Sequence, residues 1–261
     1  MRRALMVLAA CLSLGVAQAQ AANGSGTQFS AEAVQTNAQG EQGPVAKMFV
    51  GGNGMRRTEY SQNNQRVVQI AMPSQGVMWV VFPDQGSYME RRMPTMAAGG
   101  TAAAGKDNDP CAGQPGLNCR LLGEETINGR PAKKWEVSTS QQGQVVTMTQ
   151  WIDSERGFPV RQEMPRGGVM ELRMTGTEQL QGRSVEKWEM VMTPPEGQGQ
   201  PMRSVQWFDP ELEIAIREEL PDGSVRELRN IQVGAQPETL FQVPAGYQKV
   251  EPPAQQPMQR R

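Results

Sequence analysis

Asn128-Gly129-Arg130-Pro131-Ala132-Lys133-Lys134-Trp135-Glu136-Val137 recurs 53 residues later as Gln181-Gly182-Arg183-Ser184-Val185-Glu186-Lys187-Trp188-Glu189-Met190. Two further blocks follow each copy in the same order. Thr149-Gln150-Trp151-Ile152-Asp153 returns as Val205-Gln206-Trp207-Phe208-Asp209, and Val169-x-Glu171-Leu172-Arg173 returns as Val225-x-Glu227-Leu228-Arg229, both at an offset of 56. In each unit a Gly turn leads into a strand with Trp, a long turn, a strand with Trp-x-Asp, a return strand, a hairpin and a last strand. Four strands in such a period resemble a propeller blade, but two or three blades cannot close a propeller. The units therefore read as successive stretches of one antiparallel meander. Trp79-Val80-Val81-Phe82-Pro83-Asp84 looks like a worn third copy.

Upstream, residues 28–92 read as short strands at Phe29–Thr36, Val45–Gly51, Met55–Ser61, Arg66–Met72, Val77–Phe82 and Ser87–Arg92. Gly-Pro, Asn-Gly, Asn-Asn, Pro-Ser-Gln-Gly and Pro-Asp-Gln-Gly break them. Residues 93–118 form a Gly/Ala/Asp-rich insertion whose Gly99-Gly100 argue against a long helix, and Pro237–Phe241 offers one turn. Residues 22–27 read as a flexible lead-in and 251–261, with Pro252-Pro253, as a disordered tail. The expectation is a single, mainly β domain over 28–250, its second half (119–250) made of the duplicated units. Its antiparallel sheet of about 12–14 strands, with little helix, must curve strongly, because so many twisted strands do not stay flat.

Alternation assigns the faces. Trp135 and Val137 share one side; Trp188, Met190 and Met192 take the matching side of the second copy; Met170, Leu172 and Met174 form another set. The opposite sides carry Lys134 and Glu136, Lys187 and Glu189, Glu171 and Arg173. This predicts one apolar and one wet face. An apolar face needs a cover. With so little helix, either the sheet curls on itself or its concave side accepts an apolar guest. Trp79, Trp135, Met170, Leu172, Met174, Trp188, Met190 and Met192 are the candidate ligand-binding residues. The same tryptophans also read as core pillars, and the chain's 17 methionines as fillers of an irregular β core.

Met1-Arg2-Arg3, the apolar stretch Ala4–Val16, and Ala17-Gln18-Ala19 or Ala19-Gln20-Ala21 read as a cleaved secretory signal over residues 1–21, hence a periplasmic protein. No later segment resembles a membrane span. Leu8-Ala9-Ala10-Cys11 also matches a lipobox, the alternative of an outer-membrane lipoprotein anchored through Cys11. In an exported chain, Cys111 and Cys119 are most simply a disulfide, contributing about 2–3 kcal/mol by closing a short loop. A two-Cys metal site is the other reading.

Composition removes much chemistry. The absence of histidine excludes His-ligated zinc, Ser-His-Asp and Cys-His catalysis, and His-based pH switching. A net charge of −1, with Arg56-Arg57, Arg91-Arg92 and Arg260-Arg261 scattered and free of interleaved aromatics, makes no nucleic-acid stripe. No G-x-S-x-G, P-loop, H-E-x-x-H or EF-hand loop occurs. Glu124-Glu125 and Glu218-Glu219 are neighbours on strands and point to opposite faces, while Asp153 and Asp209 read as turn caps. No catalytic residue, cofactor or metal is expected.

Several stretches resemble a known family. In the first half these are Lys47-Met48-Phe49-Val50, Met55-Arg56-Arg57-Thr58-Glu59-Tyr60-Ser61, Val77-Met78-Trp79-Val80-Val81-Phe82-Pro83-Asp84 and Tyr88-Met89-Glu90. In the second they are residues 123–135, Trp151-Ile152-Asp153, Gly157-Phe158-Pro159-Val160 and residues 237–247. Together they resemble LolA-like periplasmic proteins, most closely a branch of that superfamily defined by a domain of unknown function. The resemblance implies an unclosed antiparallel half-barrel whose concave apolar face is lidded by helices. It also implies roles in carrying lipoprotein acyl chains or sensing envelope lipids and lipoproteins. This chain is longer, with the duplication, and lacks lid helices. The functional expectation is a non-enzymatic periplasmic protein holding an acyl chain or another apolar moiety. The alternative is an envelope interaction or structural module with a self-filled core.

Overall fold

Three hairpins show how the chain turns without helices. Asn63-Asn64, Asn128-Gly129 and Gln181-Gly182 all have φ between 50° and 80°. Left-handed backbone at both central residues is a type I′ turn, whose twist suits the flanking strands. Asn and Gly enter that region readily; Gln181 does not. Its side-chain amide donates to the Leu228 carbonyl at 2.8 Å and to Glu227 Oε1 at 3.1 Å, which holds the turn in place.

The structure, a computed structural model, describes residues 26–92, 108–112, 114, 116–141 and 143–251. The expected signal segment, Cys11, most of the insertion and residues from 252 lie outside the described residues. The first strands are β1 (Phe29–Thr36), β2 (Ala46–Val50), β3 (Arg56–Gln62), β4 (Gln65–Met72), β5 (Val77–Phe82) and β6 (Ser87–Arg92). Then come β7 (Leu117–Ile127), β8 (Arg130–Gln141), β9 (Gln144–Asp153), β10 (Pro159–Glu163) and β11 (Val169–Leu180). The last are β12 (Arg183–Thr193), β13 (Met202–Asp209), β14 (Ile214–Glu219), β15 (Val225–Val233) and β16 (Gln248–Lys249).

All sixteen form one sheet in the order β16-β6-β5-β4-β3-β2-β1-β15-β14-β13-β12-β11-β10-β9-β8-β7. It is mainly antiparallel, curved and not closed into a barrel. Each half of the chain is a meander, and the two join where β1 pairs with β15, Ala33 opposite Leu228. The count exceeds the expected 12–14 by β7 and β16. The first has a glycine bulge at Gly123 that blurs its alternation; the second is two residues long and pairs in parallel with β6. No described helix reaches seven residues; the expected turn near 237–241 is a 3-10 turn over Glu238–Phe241.

That turn does what a helix would otherwise do. Phe241, 1% exposed, packs on Val68, Ile70, Met72 and Val81, and Leu240, Val243 and Tyr247 complete the cover. The ring approaches so closely that a Cβ built on Gly51 would lie 2.5 Å from it. A second cluster gathers Phe29, Met48, Val50, Val185, Trp207 and Ile216 across the junction of the halves. At the far end, Trp135, Val137 and Ile152 pack with Leu117 and the bonded pair Cys111–Cys119, whose Cα atoms are 5.8 Å apart. Asn108 Nδ2 ties this loop to the sheet by donating to the Ser154 carbonyl at 2.9 Å.

Candidate functional site

Cross-strand partners share a face, so register alone traces each side of the sheet. One line of partners runs Trp135–Gln150–Gln162–Met170–Met192–Met202 across β8 to β13. Another runs Met174–Trp188–Gln206–Glu218–Arg226–Gln35 across β11 to β15 and onto β1. A third takes Leu228–Ala33–Ala46 and, two residues along β2, Met48–Thr58–Gln69–Val80. These lines meet at residues two or four apart on shared strands, so they lie on one face. We call it the inner face.

Seven of the eight candidate residues lie there. Met170 faces Met192, Leu172 faces Met190 and Met174 faces Trp188, which makes one continuous, half-buried apolar patch around the buried Trp188. Trp79 does not join them. Its neighbour Val80 is on the inner face, so Trp79 points outward, packs beside the Phe241 cluster and donates to Glu90 at 3.1 Å. Trp135 and Trp188 are only 8% and 4% exposed. Trp188 is held by Phe158, edge-on at 5.2 Å, and by a hydrogen bond to Glu186 at 3.1 Å. A molecule reaching either ring must first displace these neighbours.

The inner face opens instead at a cleft of about 80 Å³ that none of the candidate residues lines. Its walls are mostly apolar, with Ala33, Ala46, Met48, Ile214, Ile216 and Leu228. Strands from β4 round to β14 are consecutive in the sheet, yet all border this one space, so the sheet bends there. Gln35, Thr58, Tyr60, Gln69, Glu218 and Arg226 bring polar side chains to it. Gln69 Nε2 donates to Tyr60 Oη at 2.9 Å; burial pushes the Tyr60 phenol up, and this bond pulls the other way. Burial likewise raises the Glu218 carboxyl above the usual range, opposed by Arg226, whose Nη1 lies 3.8 Å away. The buried side-chain atoms without a hydrogen-bond partner among the described residues are Trp135 Nε1, Ser204 Oγ and Arg226 Nε. All three residues are on the inner face. Glu227 also borders the cleft, but it pairs with Arg229 and faces outward opposite Arg217, so the two carboxylates do not converge.

The outer face corrects the expectation of a simply wet side. Trp151 and Trp207, 3% and 6% exposed, lie on it. Each ring is roofed by cations from its two cross-strand partners: Lys134 at 4.8 Å and Arg161 at 5.3 Å over Trp151, Lys187 at 4.7 Å and Arg217 at 5.2 Å over Trp207. The indole N–H donates to Glu125 at 2.7 Å in the first case and to Glu178 in the second. Long cationic stems cover the rings while their charged ends stay wet.

Asp153 and Asp209 cap turns as expected, and do more. Asp153 Oδ1 accepts from the amides of Glu155 and Arg156, both at 2.9 Å, and its other oxygen accepts from Arg130. Asp209 accepts from the amides of Glu211 and Leu212 and from Arg183. Burial alone would raise the Asp153 carboxyl; Arg130 and the two amides outweigh it and hold it below the usual range. In the first half Asp84 also accepts from an arginine, but at the surface: both the backbone amide and the side chain of Arg66, on the neighbouring strand, donate to it at 2.9 Å. Arg130 and Arg183 open their strands just after the type I′ turns, a spacing visible in the sequence as Gly-Arg followed by Trp-x-Asp.

No family model and no curated protein matches the chain. Solved structures do match, among them members of the LolA-like superfamily that the sequence resembles. A DUF1329 family protein from Desulfovibrio piger is 15% identical, covering 84% of this chain and 90% of that one, with a TM-score of 0.34. A LolA superfamily protein from Nitrosomonas europaea is 12% identical over 84% and 90%, with a TM-score of 0.33. A putative outer membrane lipoprotein-sorting protein domain from Vibrio parahaemolyticus is 13% identical over 83% and 90%, with a TM-score of 0.32. No described helix is long and apolar enough to cross a membrane.

Proposed function

We propose that residues 28–250 act as one exported, non-enzymatic binding unit that seats an apolar group against the inner face of the sheet. The observation that carries this reading is the cleft bordered by β1–β4, β14 and β15, whose walls are mostly apolar. Its 80 Å³ is well below the roughly 300–1,000 Å³ of sites that enclose a whole small ligand. The guest is therefore the end of an acyl chain or a similar apolar tip, with the half-buried methionine patch on the same face as the surface along which the rest can lie. The disulfide fits an oxidising compartment.

The test is uptake of alkyl probes of graded length by protein purified from the periplasm, with native mass spectrometry for retained lipid. Each methylene that enters the cleft contributes about 0.8 kcal/mol, so Kd should improve about fourfold per carbon until the cleft is full. Ala46→Trp, which fills the cleft, should abolish the gain. Length-independent binding would count against the reading.

A second reading is favoured by the burial of Trp135 and Trp188 under their own neighbours. On it, the inner face is self-filled and the protein is an envelope interaction module. Protein that is always recovered empty and takes up no probe supports that alternative.

A further inference from the structure

Met170, Met192 and Met202 are successive cross-strand partners on β11, β12 and β13. They form a single row of thioethers on the inner face. Adjacent strands are about 4.8 Å apart, and a methionine side chain has three rotatable bonds, so the outer two sulfurs can swing towards the middle one. The next row along the same strands is Leu172, Met190 and Ser204, which adds a fourth thioether and no carboxylate or cation. Met170 has Gln162 on its other side. Met202 is 50% exposed, and Met170 and Met192 are half-buried, so solvent reaches the row from one end.

Such a donor set is selective. Thioethers are soft, neutral ligands that favour Cu(I), whereas Mg²⁺ and Ca²⁺ require oxygens this row does not offer. The chain contains no histidine, and Cys111 and Cys119 are bonded to each other, so among the described residues thioethers are the soft donors left. We propose that Met170, Met192 and Met202 form a site for a soft monovalent cation, Cu(I) or its redox-silent analogue Ag(I). The site is separate from the aliphatic cleft and does not depend on it holding a guest.

The experiment titrates Ag(I) into the purified full-length protein, and Cu(I) under anaerobic conditions against a chromogenic chelator. One ion per chain is expected, with each single Met→Leu change at the three positions weakening binding about tenfold or more. Met170→Leu/Met192→Leu/Met202→Leu together should remove the site. Leu is close in volume, so the fold should survive each change at less than about 1.5 kcal/mol. A position-specific readout runs in parallel on the unaltered protein: bound Ag(I) should protect these three methionines from peroxide, measured by peptide mass spectrometry, while exposed methionines elsewhere oxidise at the usual rate. That readout decides the matter even if the triple variant does not fold. Equal Ag(I) affinity in the unaltered and triple-Leu proteins, or no selective protection, would overturn the assignment. Loss of alkyl uptake without loss of Ag(I) binding would bear only on the cleft.

Discussion

At the residue scale, the buried aspartates show how a turn cap becomes a structural anchor. Asp153 is fully buried and Arg130 only 21% exposed, so removing the carboxylate charge breaks a mostly buried ion pair and leaves Arg130 only the exposed Glu155, at 3.0 Å, as a carboxylate partner. Asp153→Asn should destabilise the protein by about 3 kcal/mol in urea unfolding, near the lower end for a broken buried pair. The sign of the pH effect follows from the lowered carboxyl. Its contribution is present above the unfolded-state value near about 3.9 and is lost as pH falls through the folded value. Asp153→Asn should therefore flatten the acid limb of stability. Glu218 behaves oppositely, because burial raises its carboxyl. Its stabilising effect is present below about pH 4.3 and is lost as pH rises through the folded value. Glu218→Gln should then be more stable than the parent at pH 7, and the advantage should shrink towards pH 4; no such trend in a pH series of denaturation curves would disprove the assignment.

At the element scale, turns and straps replace helices. The 3-10 turn over Glu238–Phe241 delivers Phe241 to the outer side of β4 and β5, where Gly51 leaves room for its ring. Gly51→Ala should push the ring out and destabilise the protein by about 1–3 kcal/mol, the range for overpacking. Faster hydrogen exchange and proteolysis confined to residues 238–249 would show which element has been released. Much of this level was legible in advance. Phe29–Thr36, Val77–Phe82 and Ser87–Arg92 fall on the expected residues because β-branched and aromatic runs end at strong turn signals. β16 gave no signal, since two polar residues pair only because Phe241 brings the chain back alongside β6.

At the scale of the whole molecule, the disulfide secures one end of a long open sheet. Reducing it, or Cys111→Ser with Cys119→Ser, should lower stability by about 2–3 kcal/mol while the strand content seen by circular dichroism persists. The loss should localise around Trp135, whose packing includes both cysteines, and appear as a change in tryptophan fluorescence.

The sequence by itself determined what depends on near neighbours: strands, hairpins, the apolar alternation that places Trp135, Met170, Leu172, Met174, Trp188, Met190 and Met192 on one side, and the cysteine pair. Only the tertiary structure decided that β1 joins β15, because that pairing links residues some two hundred positions apart and no local pattern encodes it. The cleft, the weak Glu218–Arg226 pair and the outward orientation of Trp79 all follow from that junction and from the register it imposes on every strand beyond it. A sheet's faces are fixed by parity along each strand, but its curvature, and so its hollow, is a property of all strands together.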